Sequence, residues 1–251
     1  MIDLYIPDRA FGLPSLSPFC MKLEGFLCVA EIPHQIIFEN NPAKAPKQKL
    51  PFIRDNGMAI GDSEIIIEYL ESKYDIDMDG HLSHHQKSIQ HSSIRMLEEH
   101  LFWALVYSRW SNKPNRTALI NTVLADIPPP LSNLLAWRFQ RQMNKQLHAQ
   151  GLGRHNDDEI YKKARQDISA LAEQLGSHDW FGIDYVSKLD LVALGFLSNC
   201  LIGDMPSPLA TAIQNSPNLV AYTERAKSVI FPGEYKKQRK LPGQTTALID
   251  S

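Results

Sequence analysis

A chain of 251 residues with 43% hydrophobic and 22% charged residues is long enough for one compact body or two halves, and its composition is not that of a disordered, collagenous or repeat protein. A formal net charge of -2 argues against a nucleic-acid partner, and no run approaches the roughly 18 apolar residues that an integral membrane segment needs. Three cysteines, Cys20, Cys28 and Cys200, are too few and too unevenly placed for a disulfide framework or a metal site, which fits a reducing, cytoplasmic location.

The first residues enter a strand pattern at once, Ile2, Leu4 and Ile6 alternating with no basic leader ahead of them. Phe19 to Ala30 reads as a helix with Phe19, Leu23, Phe26, Leu27 and Ala30 on one face, and His34 to Phe38 as a second strand. A Pro-interrupted, Lys-rich segment from Pro42 to Lys49 follows. Two short strands, Pro51 to Arg54 and Met58 to Ile60, flank Asp55-Asn56-Gly57, a strong hairpin signal, and Ser63 to Tyr74 reads as a closing helix. The order is β-α-β followed by β-β-α, one sheet covered by helices.

After Tyr74 the pattern changes. Asp75 to Gly80 is an acidic, glycine-ended connector, and helical periodicities take over. The reading is a sheet domain over residues 1–75, a linker over 76–87, an all-helical domain over 88–234 and a solvated basic tail over 235–251 containing Lys236, Lys237, Arg239 and Lys240. Ile94, Leu97, Leu101 and Leu105 mark one long helix; Ile160, Ala164, Ile168, Leu171 and Leu175 mark another, with Pro128-Pro129-Pro130 interrupting helix between them. Ser187-Lys188-Leu189-Asp190 reads as a capping box: Ser187 caps the third amide, Asp190 reaches back to the amide of Ser187, and Val186 staples against Leu191. His81, His84, His85 and His91 have no carboxylate or cysteine in register, so they read as solvated and no metal site is expected. Gly151-Leu152-Gly153-Arg154-His155 follows a helix and lacks a third glycine; it ends that helix and is expected to position Arg154 at the domain contact, and is no phosphate loop.

Two places carry chemistry. Ser17 precedes Pro18, which suits a first helical position, so Ser17 is the natural cap and its hydroxyl and the first-turn amides can face an anion. Ser15 is a rival, and a plain cap is the bland alternative. Ser17-Pro18-Phe19-Cys20 is also a Cys-x-x-Cys pattern whose attacking cysteine is replaced, which disfavours dithiol exchange and leaves Cys20 as half-buried packing. Further on, Leu50-Pro51-Phe52-Ile53 and Gly61-Asp62-Ser63 put a proline at a strand start and a serine at a helix start, an arrangement suited to a small carboxylated peptide.

Together these runs resemble the glutathione S-transferases: a thioredoxin-like α/β domain followed by an all-helical domain, over nearly the whole chain. Ser17 to Glu24, Lys49 to Ile53, Gln150 to His155 and Ser216 to Tyr222 resemble more narrowly the failed-axon-connections group, related to metaxins. The resemblance implies glutathione as co-substrate, a catalytic Ser17, a cis Pro51 that presents the backbone of Leu50, Ser63 taking the γ-glutamyl carboxylate and Asp62 its ammonium. Lys49, with Lys47, would meet the glycyl carboxylate, a solvated basic loop being the other reading of these lysines, and Gln48 stands where relatives often have glycine. A small hydrophobic electrophile would sit between the halves, against Phe19, Trp103, Tyr107, Trp110 and Arg109, with Trp137 and Phe139 as weaker candidates. It also implies a homodimer. Two other readings stand beside it: a non-catalytic relative acting in protein interaction or ligand binding, and a glutathione-dependent reductase working through Cys20.

Overall fold

A computed structural model describes residues 1–233; the expected tail over 235–251 lies outside the described residues. Strand β1 (Ile2–Ile6) leads to helix α1 (Pro18–Val29) and strand β2 (His34–Phe38); β3 (Phe52–Asp55), β4 (Met58–Gly61) and α2 (Ser63–Tyr74) follow. The sheet order is β2-β1-β3-β4, with β1 parallel to β2 and antiparallel to β3, and β4 antiparallel to β3. Period-2 alternation sets the buried face: Ile2, Leu4 and Ile6 are fully buried, and so are Leu23, Phe26 and Leu27 of α1 and Ile66 and Leu70 of α2. Asn56 at φ 48° and Gly57 at φ 85° form the two-residue turn whose twist matches its flanking strands. The third strand starts one residue later than expected, because Pro51 has no N–H to give to the ladder.

The remaining helices are α3 (His84–Arg95), α4 (Phe102–Trp110), α5 (Lys113–Val123), α6 (Leu131–Gln150), α7 (Asp157–Leu175), α8 (Lys188–Cys200), α9 (Pro208–Gln214) and α10 (Pro217–Ile230), with a π-helical turn over Met96–Leu101 between α3 and α4. Pro128 to Pro130 do break helix, between α5 and α6. Among the described residues no helix is long and apolar enough to cross a membrane, and no group of three or more His, Cys, Asp or Glu is arranged to hold a metal ion.

Two compact units result, and a single cut in the chain does not separate them. Among the described residues, one comprises 1–90, 178–195 and 222–233; the other comprises 91–177 and 196–221. In the first unit the start of α8 and the end of α10 cover α1: a Cβ on Gly25 would lie 3.2 Å from Ile230 and 3.3 Å from Leu191. The start of α8 is fixed by Asp190, which is fully buried. Its carboxylate accepts the N–H groups of Phe181 at 2.8 Å, Gly182 at 3.2 Å and Ser187 at 2.8 Å. The expected box is half corrected. Ser187 Oγ donates to Asp190 Oδ2 at 2.7 Å, while the Asp190 amide goes to the Ser187 carbonyl at 3.0 Å. A carboxylate within reach is a stronger acceptor for the hydroxyl proton than the hydroxyl is for an amide.

Candidate functional site

Helix α1 begins where sequence places it. Ser17 is its N-cap, in extended conformation, and its Oγ accepts the N–H of Cys20 at 3.4 Å. The Ser17 carbonyl accepts Cys20 and Met21, and the Ser17 N–H donates to Ser15 Oγ at 3.2 Å. Ser15 is fully buried beneath this cap and Ser17 is half-buried, so of the two hydroxyls only Ser17 can meet a ligand. Cys20 differs from expectation: it is fully buried. Burial pushes its thiol up to about 12, against the lowering effect of the Ser17 and Ser15 hydroxyls, so it stays protonated at neutral pH and is unfit to attack.

Two contacts that hold Ser17 in place are invisible to sequence patterns. The Arg9 guanidinium donates to the Pro14 carbonyl at 3.0 Å and to Glu24 Oε1 at 2.7 Å, tying the loop ahead of Ser17 to the second turn of α1. On α8, a Cβ at Gly195 would lie 2.7 Å from the Pro18 carbonyl, so only glycine lets α8 pass this close to the start of α1. A glycine inside an apolar helix was the available signal.

Register brings three segments to one edge of the sheet. Phe52 pairs with Tyr5 near the end of β1 and with Gly61 at the end of β4. The residues just outside that row are Leu50-Pro51 on one side and Asp62-Ser63 on the other, at the edge where β1 ends. The Leu50–Pro51 bond is cis. Tyr5 and Phe52 stack beneath, ring centroids 4.1 Å apart.

Asp62, at φ 87°, caps α2: its Oδ1 accepts the N–H groups of Glu64 at 3.0 Å and Ile65 at 3.5 Å. That oxygen is engaged, which leaves Oδ2 for any ammonium. Ser63 is buried to 5% exposure at the first position of the helix, where an amide has no partner within the helix. Lys49 is exposed, and the chain at Pro46 and Lys47 passes over Gly61 at 3.5–3.6 Å from where its Cβ would be. Gln48 has φ 54°. Gln48 therefore carries a side chain on the left-handed backbone that suits glycine.

Phe19 is half-buried on the first turn of α1. Trp103, Tyr107 and Trp110 lie on α4, in the second unit, each half-buried. Tyr107 donates to the Asp157 carboxylate and packs edge-on against Tyr161 at 6.0 Å, and burial raises its phenol. Trp110 meets Phe139 edge-on at 6.5 Å. The Arg109 guanidinium, pushed down to about 10 by burial, donates to the Asn199 side chain at 2.5 Å and to its carbonyl at 3.2 Å. Arg109 is thus a structural tie to the end of α8. Trp137 is more than half exposed, and Arg154 turns back to donate to the His148 carbonyl at 3.0 Å, closing the end of α6.

A model of the glutathione S-transferase N-terminal domain matches residues 18–115, and one of the glutathione S-transferase C-terminal domain matches residues 164–226. The sheet, the cap at Ser17 and these matches agree, and the chain belongs to the glutathione S-transferase superfamily. It is 33% identical to Failed axon connections of Drosophila melanogaster over 92% of this chain and 58% of that protein, and 29% identical to human metaxin-1 over 96% of this chain and 54% of that protein. It thus spans little more than half of those two relatives. The isoprene-epoxide glutathione S-transferase of Rhodococcus sp. (strain AD45) is 29% identical over 90% of this chain and 98% of its own. Among solved structures, the beta-etherase LigF of Sphingobium sp. strain SYK-6 has the same fold, at 16% identity and a TM-score of 0.60 over 92% of this chain and 98% of that one.

Proposed function

We propose that this chain binds glutathione along the sheet edge at Leu50-Pro51 and Asp62-Ser63 with its sulfur at Ser17, and joins that sulfur to a small electrophile. The observation that carries the reading is the pairing of Phe52 with both Tyr5 and Gly61, which puts the start of β3 and the N-terminus of α2 side by side where β1 ends. The tripeptide chain adds to the edge at Leu50. Its γ-glutamyl carboxylate takes the Ser63 hydroxyl and amide, its ammonium takes Asp62 Oδ2, and its glycyl carboxylate meets Lys47 and Lys49.

A free thiol of this kind titrates at about 8.5, so little of it is thiolate at neutral pH. The Ser17 hydroxyl accepts an amide with its lone pair and keeps its proton to donate to the sulfur, while the positive end of α1 favours the anion. The thiol proton passes to water, and the thiolate then attacks carbon. The new S–C bond forms as the bond to the leaving group breaks, or as an epoxide C–O bond opens and its oxygen takes a proton from water. Phe19, on the first turn of α1, stands on the electrophile side in this reading, in a cytoplasmic homodimer.

Retention on glutathione-agarose, combined with conjugation to a generic aryl halide, tests it: turnover that Ser17→Ala lowers at least tenfold supports the reading. A second reading, a non-catalytic binding protein, is favoured by the similarity to Failed axon connections and metaxin-1 and predicts binding without turnover, indifferent to Ser17→Ala. The reductase reading through Cys20 is opposed by the burial of its thiol.

A further inference from the structure

The turn joining α5 to α6 is the part of the molecule that glutathione chemistry leaves unused. The two family models end at residue 115 and resume at 164, so most of α5 and all of α6 fall between them. Helix α6 is 20 residues long, yet Leu147 is its one fully buried residue. A surface helix ordinarily turns its apolar stripe inward. Here apolar groups point out: Val123 at the end of α5 and Leu131, Leu134 and Trp137 on the first turns of α6 are each more than half exposed, with exposed Pro128, Pro129 and Pro130 between the helices.

Behind this tip stand Arg138, Arg141 and Lys145, all exposed, with the Arg141 guanidinium 5.5 Å from the Trp137 ring centroid. From Lys113 to Gln150 there are five Lys or Arg against Asp126 alone, a net +4 within a chain of net -2.

We propose that this turn docks onto an anionic lipid surface. At 1.5 Å of rise per residue, Leu131 and Trp137 are about 9 Å apart along the axis, close to the roughly 5–10 Å to which interfacial apolar groups enter a bilayer. Trp137 is then at the level where tryptophan anchors, and Arg138 and Arg141 follow within about 6 Å, at the level of the phosphates. The order, apolar groups first and cations behind them, matches a layered surface whose charge lies outside its apolar interior. An acidic protein offers the charge without that layer, and a second copy of this tip brings the same positive charge and repels it. Binding through so few side chains is reversible and screened by salt.

Flotation of the full chain with vesicles of phosphatidylcholine alone, or of phosphatidylcholine with phosphatidylserine, tests this. Alongside the native chain go the double variant Leu134→Ser, Trp137→Ser and the triple variant Arg138→Gln, Arg141→Gln, Lys145→Gln, each checked for folding by circular dichroism. The expected result is flotation with the anionic vesicles alone, abolished in the double variant, weakened about fivefold for each cation removed and weakened by added salt. No flotation, equal flotation with neutral vesicles, or flotation unchanged in both variants overturns the proposal. Binding that survives the double variant while needing the cations shows charge attraction without apolar insertion, as an acidic protein surface would give, and overturns it. So does a dimer that the double variant dissociates in the absence of any vesicle binding.

Discussion

The hydroxyl of Ser17 accepts the amide of Cys20 at 3.4 Å, and the same pair brings the buried Cys20 thiol against the cap. One side chain therefore closes the helix and, in the proposed function, also serves the bound sulfur. Ser17→Ala removes the cap and is expected to lower stability by about 1 kcal/mol, a loss that chemical denaturation reads. Its effect on conjugation is expected to be larger than that loss explains, while Cys20→Ala keeps turnover. Because burial holds the Cys20 thiol near 12, alkylation of Cys20 in the folded chain at neutral pH is expected to be far slower than in denaturant, as mass spectrometry of the labelled peptides would report.

Asp190 is the second point of leverage. Burial raises its carboxyl above the usual range, against hydrogen bonds from Ser187, Phe181 and Gly182 that favour the ionised form. Asp190→Ala strands several buried donors at roughly 1–3 kcal/mol each, so a loss of about 3 kcal/mol or more is expected from urea unfolding. Gly182→Ala is expected to be at least as harmful, since the added Cβ would lie 2.1 Å from the Tyr185 carbonyl.

Acid stability turns on Asp55 at the end of β3. The Lys73 ammonium and the Tyr69 hydroxyl, the latter at 2.7 Å, hold its carboxyl below the usual range, chiefly through the hydrogen bond from Lys73. A carboxyl lowered by folding stabilises the native state above its unfolded pKa of about 3.9, and that contribution is lost as pH falls through the folded value. Lys73 is raised by the same contact, so its own share is present below its unfolded pKa and lost at the alkaline end. Lys73→Met is expected to unfold at a higher pH than the native chain in an acid titration followed by circular dichroism. An unchanged acid midpoint would contradict the assignment.

What was legible in the sequence is what is local. The Asn56-Gly57 hairpin, the Ser17-Pro18 cap, the start of α2 at Ser63 and the break at Pro128 to Pro130 each rest on a few adjacent residues, and each stands where expected. Contacts between distant residues were not legible: Arg9 to Glu24, Gly195 against Pro18, and Lys188 Nζ to Glu71 Oε2 at 2.8 Å. The Asp190 box was half read, because its Phe181 and Gly182 partners precede the motif. Helical periodicity groups residues on a face without saying which face is inward, and so Arg109, read as a lining group, is tied to Asn199.

Gln48 offers a gain. Its φ of 54° places a side chain where the backbone suits glycine, and left-handed backbone is disfavoured by roughly 1–2 kcal/mol for an L-residue. Gly also loses more chain entropy on folding, which offsets about half of that. Gln48→Gly is therefore expected to stabilise the fold by several tenths of a kcal/mol to about 1 kcal/mol, seen as a higher denaturant midpoint with unchanged slope.

The proposed function is tested most directly by titrating the thiol of glutathione bound to this chain, following thiolate absorbance in the ultraviolet against pH. The account predicts a bound thiol that ionises below the free value of about 8.5 and that moves back toward it in Ser17→Ala with binding retained. A bound thiol that ionises at the free value in the native chain, or a shift that Ser17→Ala leaves untouched, would contradict it.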